Sequence, residues 1–180
     1  MTSQIIYTSP VCESLDEDEE FQGDSNPASM DALNYLFNQD QSYWQNPIGS
    51  GHGMFEIVRN NLVVARLTIS KLNKVGYWIC ITLIVDSVPS SFLAVNERQD
   101  SSEWIDLMTA GEEEPWPAVF FHSINRTSEI VRQFCAVSAG TGTAIELPPC
   151  INWTTWGEAA VDNEEKSFNS EVVKESRNYA

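Results

Sequence analysis

With 180 residues and 42% hydrophobic content, the chain holds enough apolar surface for one core without help from disulfides or metal. It carries 26 acidic residues against 10 basic ones, a formal charge of -16. That balance excludes direct binding to nucleic acid or to an anionic membrane surface, since both require clustered Lys and Arg.

The charge is unevenly placed. Glu13, Asp16, Glu17, Asp18, Glu19, Glu20, Asp24, Asp31 and Asp40 fall within residues 1–50, where no Lys or Arg occurs. Residues 1–28 join this acidic block to Gly23, Ser25, Asn26 and Pro27 without apolar periodicity, which predicts an acidic disordered arm. The domain proper is expected over residues 29–160. It starts with a short helix capped by Ser29, with Met30, Leu33, Leu36 and Phe37 at helical spacing. The run from Asn46 to Gly53 reads as a connector.

Strands come next. Phe55–Arg59 and Leu62–Leu72 flank Asn60-Asn61, a pair that tolerates the left-handed conformation of a two-residue hairpin. Tyr77–Val85 places Tyr77, Ile79, Ile81, Leu83 and Val85 on one face and Trp78, Cys80 and Ile84 on the other, the pattern of a central strand covered on both sides. A short extended stretch, Phe92–Val95, follows. Asp100 and Glu103 have capping-box spacing, which predicts a helix with Trp104, Ile105 and Met108 inward and Gly111 at its end. After the acidic turn Glu112-Glu113-Glu114, Ala118–Ile124 is expected to be a strand. A second helix, capped by Thr127 or Ser128, should bury Ile130, Val131, Phe134 and Cys135. A last strand is expected near Ala144–Leu147, and residues 161–180 read as a polar tail. The order implies an α+β fold: a mainly antiparallel sheet of about five strands with helices packed on one face.

Few residues invite chemistry. Gly49-Ser50-Gly51-His52-Gly53 lacks the Gly-Lys-Ser/Thr ending of a phosphate loop and precedes a strand. Cys12, Cys80, Cys135 and Cys150 are widely spread with no Cys-x-x-Cys pair, which predicts reduced thiols and neither a zinc site nor a disulfide framework. No motif implies a cofactor. The run 16–20 lacks the alternating ligands and mid-loop glycine of a calcium hand. His52 and His122 are the only histidines, and His122 sits beside Phe120 and Phe121.

The binding reading rests on charge and aromatic rings. Asp16, Glu17, Asp18, Glu19 and Glu20 form one candidate surface; Glu112, Glu113 and Glu114 with Trp116, Trp153 and Trp156 form another, suited to a Lys- or Arg-rich partner. The expected function is an acidic cytoplasmic protein-binding module of the immunity, antitoxin, inhibitor or chaperone kind. It would engage a basic or nucleic-acid-binding protein, with nucleic-acid mimicry as a special case. Val75–Val85 is far shorter than the roughly 20 residues of a spanning helix, and Met1–Pro10 shows no secretory signal pattern. The alternative is a small-molecule enzyme with a cross-strand site using His122 and a carboxylate.

Overall fold

Among the described residues, four outside glycine adopt positive φ: Asn60 (52°), Asn61 (61°), Asp86 (50°) and Ser87 (65°). Each pair makes a two-residue turn whose twist matches that of the flanking strands. A computed structural model describes residues 3–12, 25–27, 35–39, 44–46, 49–72, 75–99, 102–109, 112–138 and 145–157. In chain order the strands are β1 (Ser3–Cys12), β2 (Ser25–Pro27), β3 (Gln45–Asn46), β4 (Gly49–Arg59), β5 (Leu62–Leu72), β6 (Gly76–Val85), β7 (Val88–Val95), β8 (Trp104–Thr109), β9 (Glu112–Pro117), β10 (Phe121–His122) and β11 (Asn152–Thr155). Among the described residues there are also a 3-10 turn (Ala118–Phe120), the helix α1 (Ile124–Ser138) and shorter helical stretches at 35–37 and 156–157.

The main sheet is antiparallel in the order β11-β7-β6-β5-β4-β1-β2, with β3 pairing to β4 and β10 to β6. β8 and β9 form a separate hairpin. As the alternation in its sequence predicts, β6 lies inside the sheet with a core on each face. On one face Phe55, Ile57, Leu67, Ile69, Tyr77, Ile79 and Ile81 pack with Tyr7 of β1 and with Ile130, Val131 and Phe134 of α1. On the other, Trp78, Cys80 and Leu93 pack with Trp116, Phe120 and Phe121. Fully burying one such Leu, Ile or Phe side chain contributes about 1.5–3 kcal/mol, so both layers matter to stability. Pro89, which has no N–H to donate, pairs with Ile84 on one side. It lies outside the Phe92–Val95 stretch that β11 covers on the other.

Several expectations are corrected. Ser3–Cys12 is a strand of the main sheet, Tyr7 opposite Phe55, so the N-terminal arm does not include it. Tyr7 is buried and its ring centroid lies 4.7 Å from that of Phe55, a contact that outweighs the weak periodicity around it. The acidic block 13–20 and the tail 161–180 lie outside the described residues. Of the first helix, Tyr35–Phe37 is helical, with Leu36 and Phe37 in the core; Ser29 lies outside the described residues. Of the connector, Asn46 ends β3 and Gly49 to Gly53 begin β4, where Gly53 has the small profile needed beneath the buried Trp44 ring; Pro47 and Ile48 lie outside the described residues.

Trp104–Thr109 is a strand, not a helix. Pro115 and Pro117 keep the following run extended, and that run pairs Ile105 with Trp116; this cross-strand partner overrides the capping spacing. Ala118–Ile124 divides into the 3-10 turn, the short β10, the linking Ser123 and the first residue of α1. Helix α1 begins before Thr127 because Ser123 precedes it as the cap: the Arg126 amide donates to Ser123 Oγ (3.4 Å) and the Thr127 amide to Ser123 O (2.9 Å). Ile145–Leu147 forms no strand; the last strand is β11, beyond Pro148-Pro149.

Candidate functional site

β7 parts from β6 near its end. The two are paired from Val85↔Val88 to Cys80↔Leu93, after which β10 takes over the edge of β6 with Phe121↔Trp78 and His122↔Tyr77. Ala94 and Val95 keep only the pairing on the other edge of β7, with Trp153 and Asn152 of β11. The carbonyl of Ala94 is met by His122, whose Nε2 lies 3.1 Å away. A carbonyl can only accept, so Nε2 carries the ring proton and Nδ1 bears the lone pair.

The parting opens a hollow of about 740 Å³ between the end of β7, β10, the start of α1 and the segment 149–152. This lies within the range of roughly 300–1,000 Å³ common for small-molecule sites. Asn96 fixes the turn at its rim. The Asn96 amide donates to Val119 O (2.6 Å) and Nδ2 to Phe121 O (3.0 Å), while Oδ1 accepts from the Arg98 amide (3.3 Å) and Asn96 O from the Gln99 amide (3.1 Å). Glu97 and Arg98 are thereby held side by side at the mouth. Glu97 accepts from Asn152 Nδ2. Elsewhere in the lining, Arg126 Nη1 donates to Glu129 Oε2 at 2.7 Å and Nη2 to the Cys150 carbonyl.

His122 itself is a poor acid or base. It is 1% exposed, and burial, assisted by the charge of Arg126, lowers its pKa to about 4 despite the bond to Ala94. The ring is neutral at physiological pH, and its buried Nδ1 has no partner among the described residues. A second histidine contact joins His52 Nδ1 to Ser70 Oγ across β4 and β5. Ser70 is fully buried, which keeps that hydroxyl from acting as a nucleophile on any substrate. Burial also pushes the thiols of Cys80 and Cys135 up to about 11, the opposite of what an attacking thiolate requires.

The tryptophans divide by environment. Trp116 is buried at 7% exposure between Trp78 and Phe120, with ring centroids at 5.8 and 5.9 Å. Trp156 completes an edge-to-face trio, 5.7 Å from Trp78 and 5.4 Å from Trp116, and is 40% exposed. Trp153 is half-buried on the opposite face, its Nε1 donating to Pro148 O at 2.9 Å. Trp156 is thus the ring offered to solvent, whereas Trp116 and Trp153 spend most of their surface on packing. Glu112, Glu113 and Glu114 lie on β9, opposite Thr109, Met108 and Leu107, on the same short strand as Trp116. The other acidic group, Asp16 to Glu20, lies outside the described residues.

Comparison of the chain with protein-family models, curated proteins and solved structures finds no match. Among the described residues no helix is long and apolar enough to cross a membrane, and no group of three or more His, Cys, Asp or Glu is placed to hold a metal ion. Sequence reasoning missed Asn96 and the Glu97-Arg98 rim, because their role arises from β7 parting from β6. It grouped Trp116 with Trp156, which the structure brings together, but read Trp78, the third ring of the trio, as a strand residue alone.

Proposed function

We propose that this chain is an acidic protein-binding module that engages a basic surface of a macromolecular partner, as an immunity protein, antitoxin, inhibitor or chaperone does. The observation that carries the reading is the position of Trp156. Its exposed ring leans on Trp116, and Trp116 roots the hairpin whose strand β9 begins Glu112-Glu113-Glu114. An exposed indole in a chain this acidic suits an Arg or Lys side chain, with carboxylates steering encounter and the ring face receiving the cation. The formal charge of -16 extends that attraction over the encounter distance. Nucleic-acid mimicry is the special case in which these carboxylates and Asp16 to Glu20 stand in for phosphates.

Affinity capture from the native host, followed by titration of the recovered partner in rising salt, tests the reading. Affinity should fall steeply between about 50 and 500 mM salt. Trp156→Ala and the triple change of Glu112, Glu113 and Glu114 to Gln should each weaken binding about tenfold, as loss of an interface anchor commonly does. Affinity indifferent to salt and to both variants would overturn it. If the partner binds nucleic acid, the wild-type chain should compete with that nucleic acid, and variants neutralised at 16–20 and 112–114 should not.

The enzyme alternative gains from the hollow beside His122 but not from the histidine, whose buried, neutral ring is engaged with Ala94. Replacing His122 by Asn tests that reading, since an activity indifferent to the change would remove the residue from any mechanism.

A further inference from the structure

Within a chain of formal charge -16, the hollow beside β10 is electrically balanced. Its ionic lining consists of Arg98 and Arg126 against Glu97 and Glu129, and the side-chain amides of Asn125 and Asn152 stand among them. A simple anion entering it would meet two carboxylates and the negative field of the whole molecule. A simple cation would meet two guanidinium groups. A ligand carrying one charge of each sign satisfies both, and having no net charge it is not repelled by the rest of the protein.

We infer that this hollow binds a small zwitterion of the amino-acid or short-peptide type, its carboxylate on Arg98 and its ammonium on Glu97. Arg126 is already committed to Glu129 and the Cys150 carbonyl, and serves as a fixed wall. The guanidinium of Arg98 is exposed and makes no ion pair or hydrogen bond with another described residue. Glu97 spends one oxygen, Oε1, on Asn152, which leaves Oε2 for an ammonium. The two side chains arise from a turn that Asn96 ties down through its amide, its carbonyl and both polar atoms of its side chain. Little ordering is therefore left to occur on binding. The volume of about 740 Å³ exceeds what a single amino acid fills and has room for two or three residues.

The test uses the full chain and a panel of free dipeptides, screened by ligand-observed NMR and followed by calorimetry. The best binder is then compared with its N-acetylated form, which keeps only the carboxylate, and its C-terminal amide, which keeps only the ammonium. Each blocked form should bind about tenfold more weakly, the effect of losing one charged hydrogen bond. Arg98→Gln should weaken the free dipeptide and the acetylated form but leave the amide nearly unchanged. Glu97→Gln should do the reverse. Both residues are exposed, so the variants fold, and a thermal melt confirms it. The inference is overturned if no dipeptide saturates the protein by about 10 mM, a dissociation constant corresponding to less than 3 kcal/mol. Blocked forms that bind as well as free ones, or variants that change nothing, overturn it equally. Macromolecular partner binding through Trp156 is a separate readout, and either result stands without the other.

Discussion

Gly76 and the carbonyl oxygen of His122 are packed so closely that a Cβ on residue 76 would lie 2.4 Å from that oxygen, and the glycine has φ of +139°. Both facts oppose any side chain here. The contact occurs where β10 replaces β7 along the edge of β6, so it sets how deeply β10 docks and where α1 begins.

Gly76→Ala should therefore destabilise the fold by about 3 kcal/mol or more, combining backbone strain with displacement of β10. Guanidinium unfolding monitored by circular dichroism measures this. A loss below about 1 kcal/mol would mean that β10 does not seat against β6 as described.

The buried ring of His122 also makes stability depend on pH. Its folded pKa of about 4 lies below the ordinary 6.5, so between those values the unfolded chain binds a proton that the folded chain refuses. Stability is then whole above about pH 6.5 and falls as pH drops towards 4, by up to about 3 kcal/mol from this residue alone. Urea midpoints compared for the wild type and His122→Gln over that interval isolate the effect. The variant should be less stable at pH 7 yet lose less on acidification, and parallel curves would refute the assignment.

Trp44 and Gly53 form a second matched pair. Trp44 is fully buried, and a Cβ at residue 53 would come 2.9 Å from its Cζ3. Gly53→Ala should cost about 1–3 kcal/mol by overpacking, and Trp44→Ala about 3–5 kcal/mol by leaving a cavity. Combined, the two should cost less than their sum, because the added methyl enters the space the indole vacates. Strict additivity in thermal or denaturant unfolding would show that the two residues do not touch.

Much of the centre of this fold is legible from residues alone. The Asn60-Asn61 turn, the alternation of β5 and the double-sided apolar pattern of β6 are local signals, and so is the inward face of α1 at Ile130, Val131, Phe134 and Cys135. What escapes is non-local. Trp104–Thr109 is short enough to fit either period, and its state is decided by pairing with β9. The hollow is harder still, because it depends on β7 leaving β6 after Leu93 and on Asn96 reaching Val119 and Phe121. The Asp86-Ser87 turn, with a serine at φ of 65°, gives a weaker local cue than Asn-Asn.

The pairing of β1 with β4 also bears on the order in which the molecule assembles. β4 to β7 follow one another with brief connections and can zip up as neighbours, whereas β1 must wait for a strand that emerges long after it during synthesis. Until then the Tyr7 ring has no Phe55 to rest on. The edge of β4 is the late seam of the nascent protein, the place where a stray strand from another chain could intrude before the native one arrives.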